Sequence, residues 1–357
     1  MGDTVKTGTL RVGMVGVGTI SQQYVRTLDG HPTVSLVATA DLDPTREVPG
    51  LPSRTPGELY ASDDVDVVLN LTIPAAHAEV SLAAIAAGKH VYSEKPLALS
   101  TVEAQEILAA ADRAGVRVGC APDTVLGPGT QTARRCVDDG AIGTPVAATA
   151  FMVTPGHELW HPAPEFYYRA GGGPLYDMGP YYLSALVTLL GPVARVTGLS
   201  STPRAERTIA SGPRAGTTFP VELPTHVTGA LLHESGAVTT LMMSFDVWAA
   251  DLPRIEVYGT AGSLSVPDPN DFAGAVQLFQ PDSRAWTEVP AAPGNGHAGR
   301  GAGLADLGAA LSTGEPHRAN GELAFHVLDV MESLTRAAET GQAQEVASTC
   351  ARPAPVS

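Results

Sequence analysis

Gly16, Gly18 and Ser21 lie between a β-forming run, Leu10–Val15, and a helical stretch, a spacing suited to holding phosphate. Glycine at 16 permits a tight turn, and glycine at 18 lets the backbone approach a pyrophosphate. The helix that follows directs its N-terminal N–H groups at the phosphate charge. The third position of such a fingerprint serves helix–strand packing, where the small Ser21 can replace glycine. An ordinary strand-to-helix turn would share this pattern, and a turn or helix cap would share an aspartate. Order separates the readings: Asp41 ends the next apolar run, 23 residues after Gly18, where an acid holds ribose hydroxyls. Strand, glycine turn, helix, strand and acid together point to a dinucleotide. A carboxylate there repels a 2′-phosphate, and Leu42 follows it instead of an arginine, so NAD is expected over NADP.

Two further groups of residues could do chemistry. Val91-Tyr-Ser-Glu94-Lys95-Pro96 puts a lysine at the end of a strand, beside a glutamate; alone, this reads as an ion pair at a surface turn. The segment Gly156–Arg169 crowds His157, Trp160, His161 and Tyr168 with charges ahead of a glycine run. A sugar ring has apolar faces and polar edges, so an aromatic face with convergent hydrogen-bonding groups suits it. Trp160, His161 and Tyr168 are the candidate contacts, against a packed connecting loop with Trp160 in the core. His157 and His161 are four apart, but no carboxylate completes a metal site and Pro162 stops a helix. No metal is expected.

The elements that must position these groups are legible as periodicity. Strands are expected at Leu10–Val15, Val34–Ala40, Val65–Leu71, His90–Ser93 and Arg117–Cys120, with helices at Thr19–Leu28, Ala75–Ala87 (closed by Gly88) and from Ser100 to Ala114. Alternation of this kind, with near-continuous apolar strands, means a parallel sheet covered on both faces, an α/β Rossmann domain over residues 10–124 after a flexible 1–9. Beyond it come helices near Thr130–Asp139 and Met178–Leu190, then β-rich runs at Val193–Ser200, Val221–His233, Ala237–Val247 and Arg254–Tyr258. These predict an α+β domain, 125–345, with an open, mostly antiparallel sheet. Helices at Gly303–Thr313 and Gly321–Thr340 close it and can pack back on the Rossmann domain; 346–357 reads as a disordered tail.

Composition narrows the partners. A formal charge of −15, with 44% apolar and 17% charged residues, argues against nucleic acid, which needs concentrated positive surface. Three cysteines, Cys120, Cys136 and Cys350, cannot all pair and have no metal-binding spacing, as in a reducing compartment. No apolar run approaches the ~20 residues of a membrane helix, and Met1–Thr9 lacks a leader's apolar core. A cytoplasmic protein without membrane partners is expected.

Glu94-Lys95-Pro96, Leu71-Thr72-Ile-Pro74-Ala-Ala-His77, Ala87-Gly-Lys-His90-Val and Gly171-Gly-Gly-Pro-Leu-Tyr-Asp177-Met-Gly179-Pro-Tyr181 together resemble one family. It is the glucose–fructose oxidoreductase / inositol dehydrogenase / rhizopine catabolism (Gfo/Idh/MocA) family, and the likeness runs from about Leu10 to Ala338. The resemblance implies NAD-linked oxidation of a sugar, glycoside or cyclitol alcohol, or the reverse reduction, in a site between the two domains. It also implies nucleotide contacts from Thr19, Ile20, Thr72, Pro74, His77, Glu94 and Lys95, a cis Lys95–Pro96 bond, and a homodimer or homotetramer through the C-terminal sheet. The implied catalytic set is Lys95, Asp177 and Tyr181, all three also touching substrate. Tyr181 stands where the family usually has histidine; an unperturbed phenol titrates near ~10, so a nearby cation must favour its phenolate, or neutral Tyr181 donates a proton. Ala75 replaces a usual asparagine, and Ala121-Pro-Asp123-Thr-Val-Leu-Gly departs from the common version. Asp123 therefore reads either as a substrate contact or as a turn aspartate. The same fold also serves non-sugar diols or carbonyls, and non-catalytic dinucleotide sensors.

Overall fold

A computed structural model describes residues 8–292 and 299–356. The chain forms two compact units: Met1–Gly127 with Gly294–Phe325 and Val356–Ser357, and Pro128–Pro293 with His326–Pro355. The first unit is built on β1 (Leu10–Val15), β2 (Val34–Ala40), β3 (Ser53–Arg54), β4 (Val67–Asn70), β5 (His90–Ser93) and β6 (Val118–Cys120), all parallel, in the order β3-β2-β1-β4-β5-β6. That is the doubly wound Rossmann order, which reverses beside β1. Val12, Met14, Val67, Leu69 and Tyr92 are wholly buried, as a sheet covered on both faces requires. Helices α1 (Ser21–Leu28), α2 (Pro56–Ala61), α3 (His77–Ala86), α4 (Thr101–Ala114) and α7 (Ala302–Thr313) belong to this unit. Ser100 accepts the Glu103 N–H to start α4. Thr55 and Glu58 form a reciprocal capping box that starts α2, an element whose six residues are too short to show a period.

Among the described residues the second unit carries a nine-stranded sheet, β7 (Pro145–Val153), β8 (Val193–Ser201), β11 (His226–His233), β12 (Val238–Ser244), β13 (Ile255–Gly259), β14 (Ser263–Val266), β15 (Gln277–Phe279), β16 (Trp286–Glu288) and β17 (Gln344–Glu345). Their order is β16-β15-β14-β13-β7-β12-β11-β8-β17. Only β7 and β12 run parallel, so the sheet is open and mostly antiparallel. A separate hairpin joins β9 (Glu206–Thr208) and β10 (Thr218–Pro220). Helix α5 (Pro128–Asp138) packs on α6 (Gly173–Leu190), and α6 lies on β7, β11 and β12. The long α8 spans Gly321–Thr340. Helix α6 starts five residues before the expected Met178. Pro174 occupies its first turn, where a missing N–H is harmless, and a Cβ at Gly172 would lie 2.6 Å from the Phe166 carbonyl oxygen.

The expectation of a disordered 346–357 is corrected over residues 346–356. The Val346 N–H donates to Ala194 O (2.9 Å), the Ser348 N–H to Asp329 (2.7 Å), and Arg352 reaches Asp138 (2.7 Å) and Thr188 O (2.8 Å). Polar ties of this kind carry no periodic signature.

Candidate active site

The turn after β1 is shaped by two glycines in different ways. Gly16 has φ +97°, and a Cβ there would lie 2.6 Å from Leu71 O, so only glycine lets this turn pass the end of β4. A Cβ at Gly18 would meet nothing within 4 Å; the space above that backbone is open, at the N-terminus of α1. Ser21 Oγ donates to Gly18 O (2.7 Å) and fixes the turn; Thr19 is exposed and Ile20 half-buried. Asp41 directly follows β2, with Oδ2 accepting the Val17 N–H (2.7 Å) and Oδ1 the Asp43 N–H (2.9 Å). Leu42 beside it is 94% exposed. An open glycine turn, a helix N-terminus and an anchored carboxylate fit a dinucleotide at pyrophosphate and ribose.

Around Lys95 the structure separates surface groups from struts. Pro74 and Ile73 are exposed, and Thr72 donates to Asn70 Oδ1 (2.7 Å). His77, expected at the nucleotide, is instead 1% exposed. Its Nδ1 lies 2.6 Å from Pro96 O and its Nε2 3.1 Å from Thr72 O. Burial pushes its pKa down, against the two carbonyls that favour the charged ring. Glu94 is also turned inward: Oε1 accepts from Tyr24 Oη (2.8 Å) and Oε2 from the Lys95 N–H (3.0 Å). His77 and Glu94 thus hold the segment around the cis Lys95–Pro96 bond, and the nucleotide-contact expectation for both is corrected to a positioning one. Asp123 is corrected as well. It is wholly buried, and its Oδ2 accepts the N–H groups of Gly301 (2.8 Å) and Gly303 (3.0 Å) at the start of α7. Burial raises its pKa against those donors.

In the second unit, α6 carries Asp177 and Tyr181 one turn apart, hence on one face. His157 meets Asp177 from the loop after β7: its Nε2 is 2.9 Å from Asp177 Oδ2. The imidazole makes edge contacts with Tyr167 and Trp160, at centroid distances of 4.3 and 5.2 Å, and lies 4.5 Å from Phe245. Trp160 is 59% exposed, so it is no core residue. His161 is half-buried, its Nδ1 accepting the Ala163 N–H (3.0 Å). Tyr168 is wholly buried and cannot meet a substrate from its present place, which corrects that expectation. Its hydroxyl accepts the His157 N–H (3.2 Å) and donates to Glu158, and burial raises its pKa.

Arg207 on β9, almost fully buried, secures this loop. It bonds Glu158 (2.8 Å), Asp246 (2.5 Å) and the Phe245 carbonyl (3.2 Å). One guanidinium between the buried Glu158 and the partly buried Asp246 is geometrically selective, because each remaining lone pair needs a donor; Thr225 supplies one to Asp246 (2.6 Å). Sequence reasoning missed His157 as a partner of Asp177, and missed Arg207 altogether. The crowding of the Gly156–Arg169 loop was the one available signal. Among the described residues, no group of three or more His, Cys, Asp or Glu is placed to hold a metal.

The parallel sheet, its glycine turn and the anchored acid define an NAD-binding oxidoreductase. Residues 10–121 match the oxidoreductase family with an NAD-binding Rossmann fold and residues 130–265 the GFO/IDH/MocA C-terminal domain, so the chain belongs to the Gfo/Idh/MocA family. It is 28% identical over 350 residues to a 1,5-anhydro-D-fructose reductase of Ensifer adhaerens, covering 94% of this chain and 98% of that one. It is 37% identical over 150 residues to inositol 2-dehydrogenase 3 of Saccharopolyspora erythraea, 39% of this chain and 44% of that protein. The crystal structure of an NAD binding oxidoreductase from Klebsiella pneumoniae superposes with a TM-score of 0.81 at 25% identity, over 95% of this chain and 99% of that one.

Proposed function

We propose that the protein oxidises a secondary alcohol of a sugar, glycoside or cyclitol, or reduces the corresponding ketone, with NAD as the redox partner. The observation that carries this is the grouping, within one unit, of an exposed aromatic face with an acid: Trp160 packs on His157, and His157 binds Asp177. An aromatic plane accepts the apolar face of a ring, and a carboxylate accepts its hydroxyls. The near full-length likeness to an anhydrosugar reductase supports the same substrate class.

Gly16, Gly18, Thr19, Ile20, Asp41, Thr72, Pro74 and Lys95 hold the dinucleotide, whose nicotinamide supplies or takes the hydride when bound. Lys95 hydrogen-bonds the reacting oxygen, and its charge stabilises developing alkoxide. Tyr181 exchanges the proton with that oxygen, and Asp177 accepts from a neighbouring hydroxyl and orients the ring. Across a panel of sugars, anhydrosugars and cyclitols, Lys95→Ala should lower NAD-linked kcat by about a hundredfold or more. Wild-type rates in this variant would sink the assignment. NADH binding with no turnover on any member would favour a sensor.

The same proposal places the enzyme in the cytoplasm as a homodimer or homotetramer. Cys120 and Cys136 are buried free thiols. No helix of the described residues is long and apolar enough to cross a membrane. Leu199 and Val238, both exposed, sit on the sheet face opposite the buried positions of β8 and β12, a surface suited to a second subunit.

A further inference from the structure

His157 is nine-tenths buried, yet its Nδ1 has no hydrogen-bond partner among the described residues. Its Nε2 faces Asp177 at 2.9 Å. A carboxylate only accepts, so Nε2 must carry a proton. A second proton, on Nδ1, would be a buried donor without an acceptor. The surroundings therefore fit the neutral Nε2–H tautomer, paired with an ionised Asp177. Nor is the ring free to turn away: Trp160, Tyr167 and Phe245 enclose it. Its backbone N–H is tied to Tyr168, and the next residue, Glu158, is tied to buried Arg207.

We infer that His157 is a positioning residue for the reaction, a fixed neutral donor that aims the Asp177 carboxylate at the substrate ring. This rests on the sugar reading given above. It also accounts for an imidazole beside Asp177 in a chain whose residue 181 is tyrosine: the ring comes from the loop after β7 instead of the next turn of α6. The two arrangements differ in chemistry. A neutral imidazole bonded to an acid orients that acid, and proton exchange with the reacting oxygen stays with Tyr181 and Lys95.

Glutamine can place an Nε2–H where the histidine has one and does not titrate, whereas leucine fills the volume without a donor. With a sugar or cyclitol that the wild type turns over, His157→Leu should lower kcat/KM by about tenfold to a hundredfold through misplacement of the acid. NADH affinity should be unchanged, and His157→Gln should restore most of the loss. Adding His157→Leu to Asp177→Asn should change little further, because the two act as one unit. The inference is overturned if folded His157→Leu keeps wild-type kcat/KM, if glutamine rescues no better than leucine, or if the two losses multiply. The imidazole 15N spectrum supplies a readout independent of turnover: an Nε2–H pattern for His157 that changes on Asp177→Ala supports the pair, and an Nδ1–H pattern overturns it. A wild type that binds NADH but is silent on the whole panel defeats the sugar reading, and with it the catalytic part of this inference, while the 15N result still decides the pairing.

Discussion

Asp41, proposed above to hold the ribose, also serves the glycine turn, because its carboxylate is bonded to the Val17 N–H within that turn. Removing it leaves a donor without its partner and removes the repulsion that disfavours a 2′-phosphate. Hydrogen bonds to a charged group contribute about 1.5–3 kcal/mol, so Asp41→Ala should weaken NADH binding roughly tenfold to a hundredfold. NADPH should lose much less, and titration calorimetry with both nucleotides would check it; an unchanged ratio would remove Asp41 from the ribose site. The pairing of Asp41 with the glycine turn was legible because both lie within a single strand–helix–strand unit. Asp123 was not. Its partners Gly301 and Gly303 lie 178 and 180 positions away, and no local spacing marks a buried acid that will cap a distant helix.

Among elements, the regular ones were readable and the short ones were not. The strands of the parallel sheet have continuous apolar runs, but β9, which brings Arg207, has three residues and only one buried position. The burial of an arginine there is set by Glu158 and Asp246, which local propensity does not report. Helix α8 shows the same dependence on distant partners. Its His326 is wholly buried, with Nε2 accepting the Val193 N–H (3.0 Å), a bond that needs an unprotonated nitrogen. Burial pushes His326 down, and His77, His233 and His317 likewise. The unfolded chain binds their protons near pH ~6.5 while the folded one does not, so their stabilisation is complete above that pH and is lost as pH falls toward the folded values. Melting temperature should therefore decline from about pH 7 to about pH 5, with a shallower slope in His326→Gln, whose amide can accept without titrating. Equal slopes in calorimetry would show that His326 contributes nothing to it.

On the scale of the whole molecule, each compact unit draws on separated stretches of chain. The second includes the strap after β17, where Arg134 reaches Pro353 O (2.9 Å) and Arg352 reaches Thr188 O (2.8 Å). Cutting the chain after Glu345 strands these groups at about 1–3 kcal/mol each, and melting should fall by about 5 °C or more. An unchanged melt would mean the strap is ornamental. The Asp123 clamp has a consequence for biosynthesis. Domains commonly fold in turn as the nascent chain emerges, but here the six strands of the first sheet leave the ribosome long before Gly301 and Gly303 arrive. Until then a buried acid lacks its donors, so the nucleotide half must wait in an incomplete state through translation of almost all of the second. A ribosome-arrested chain lacking residues beyond 292 should be cut by protease within its first sheet at a stage when a locally complete Rossmann domain would already resist.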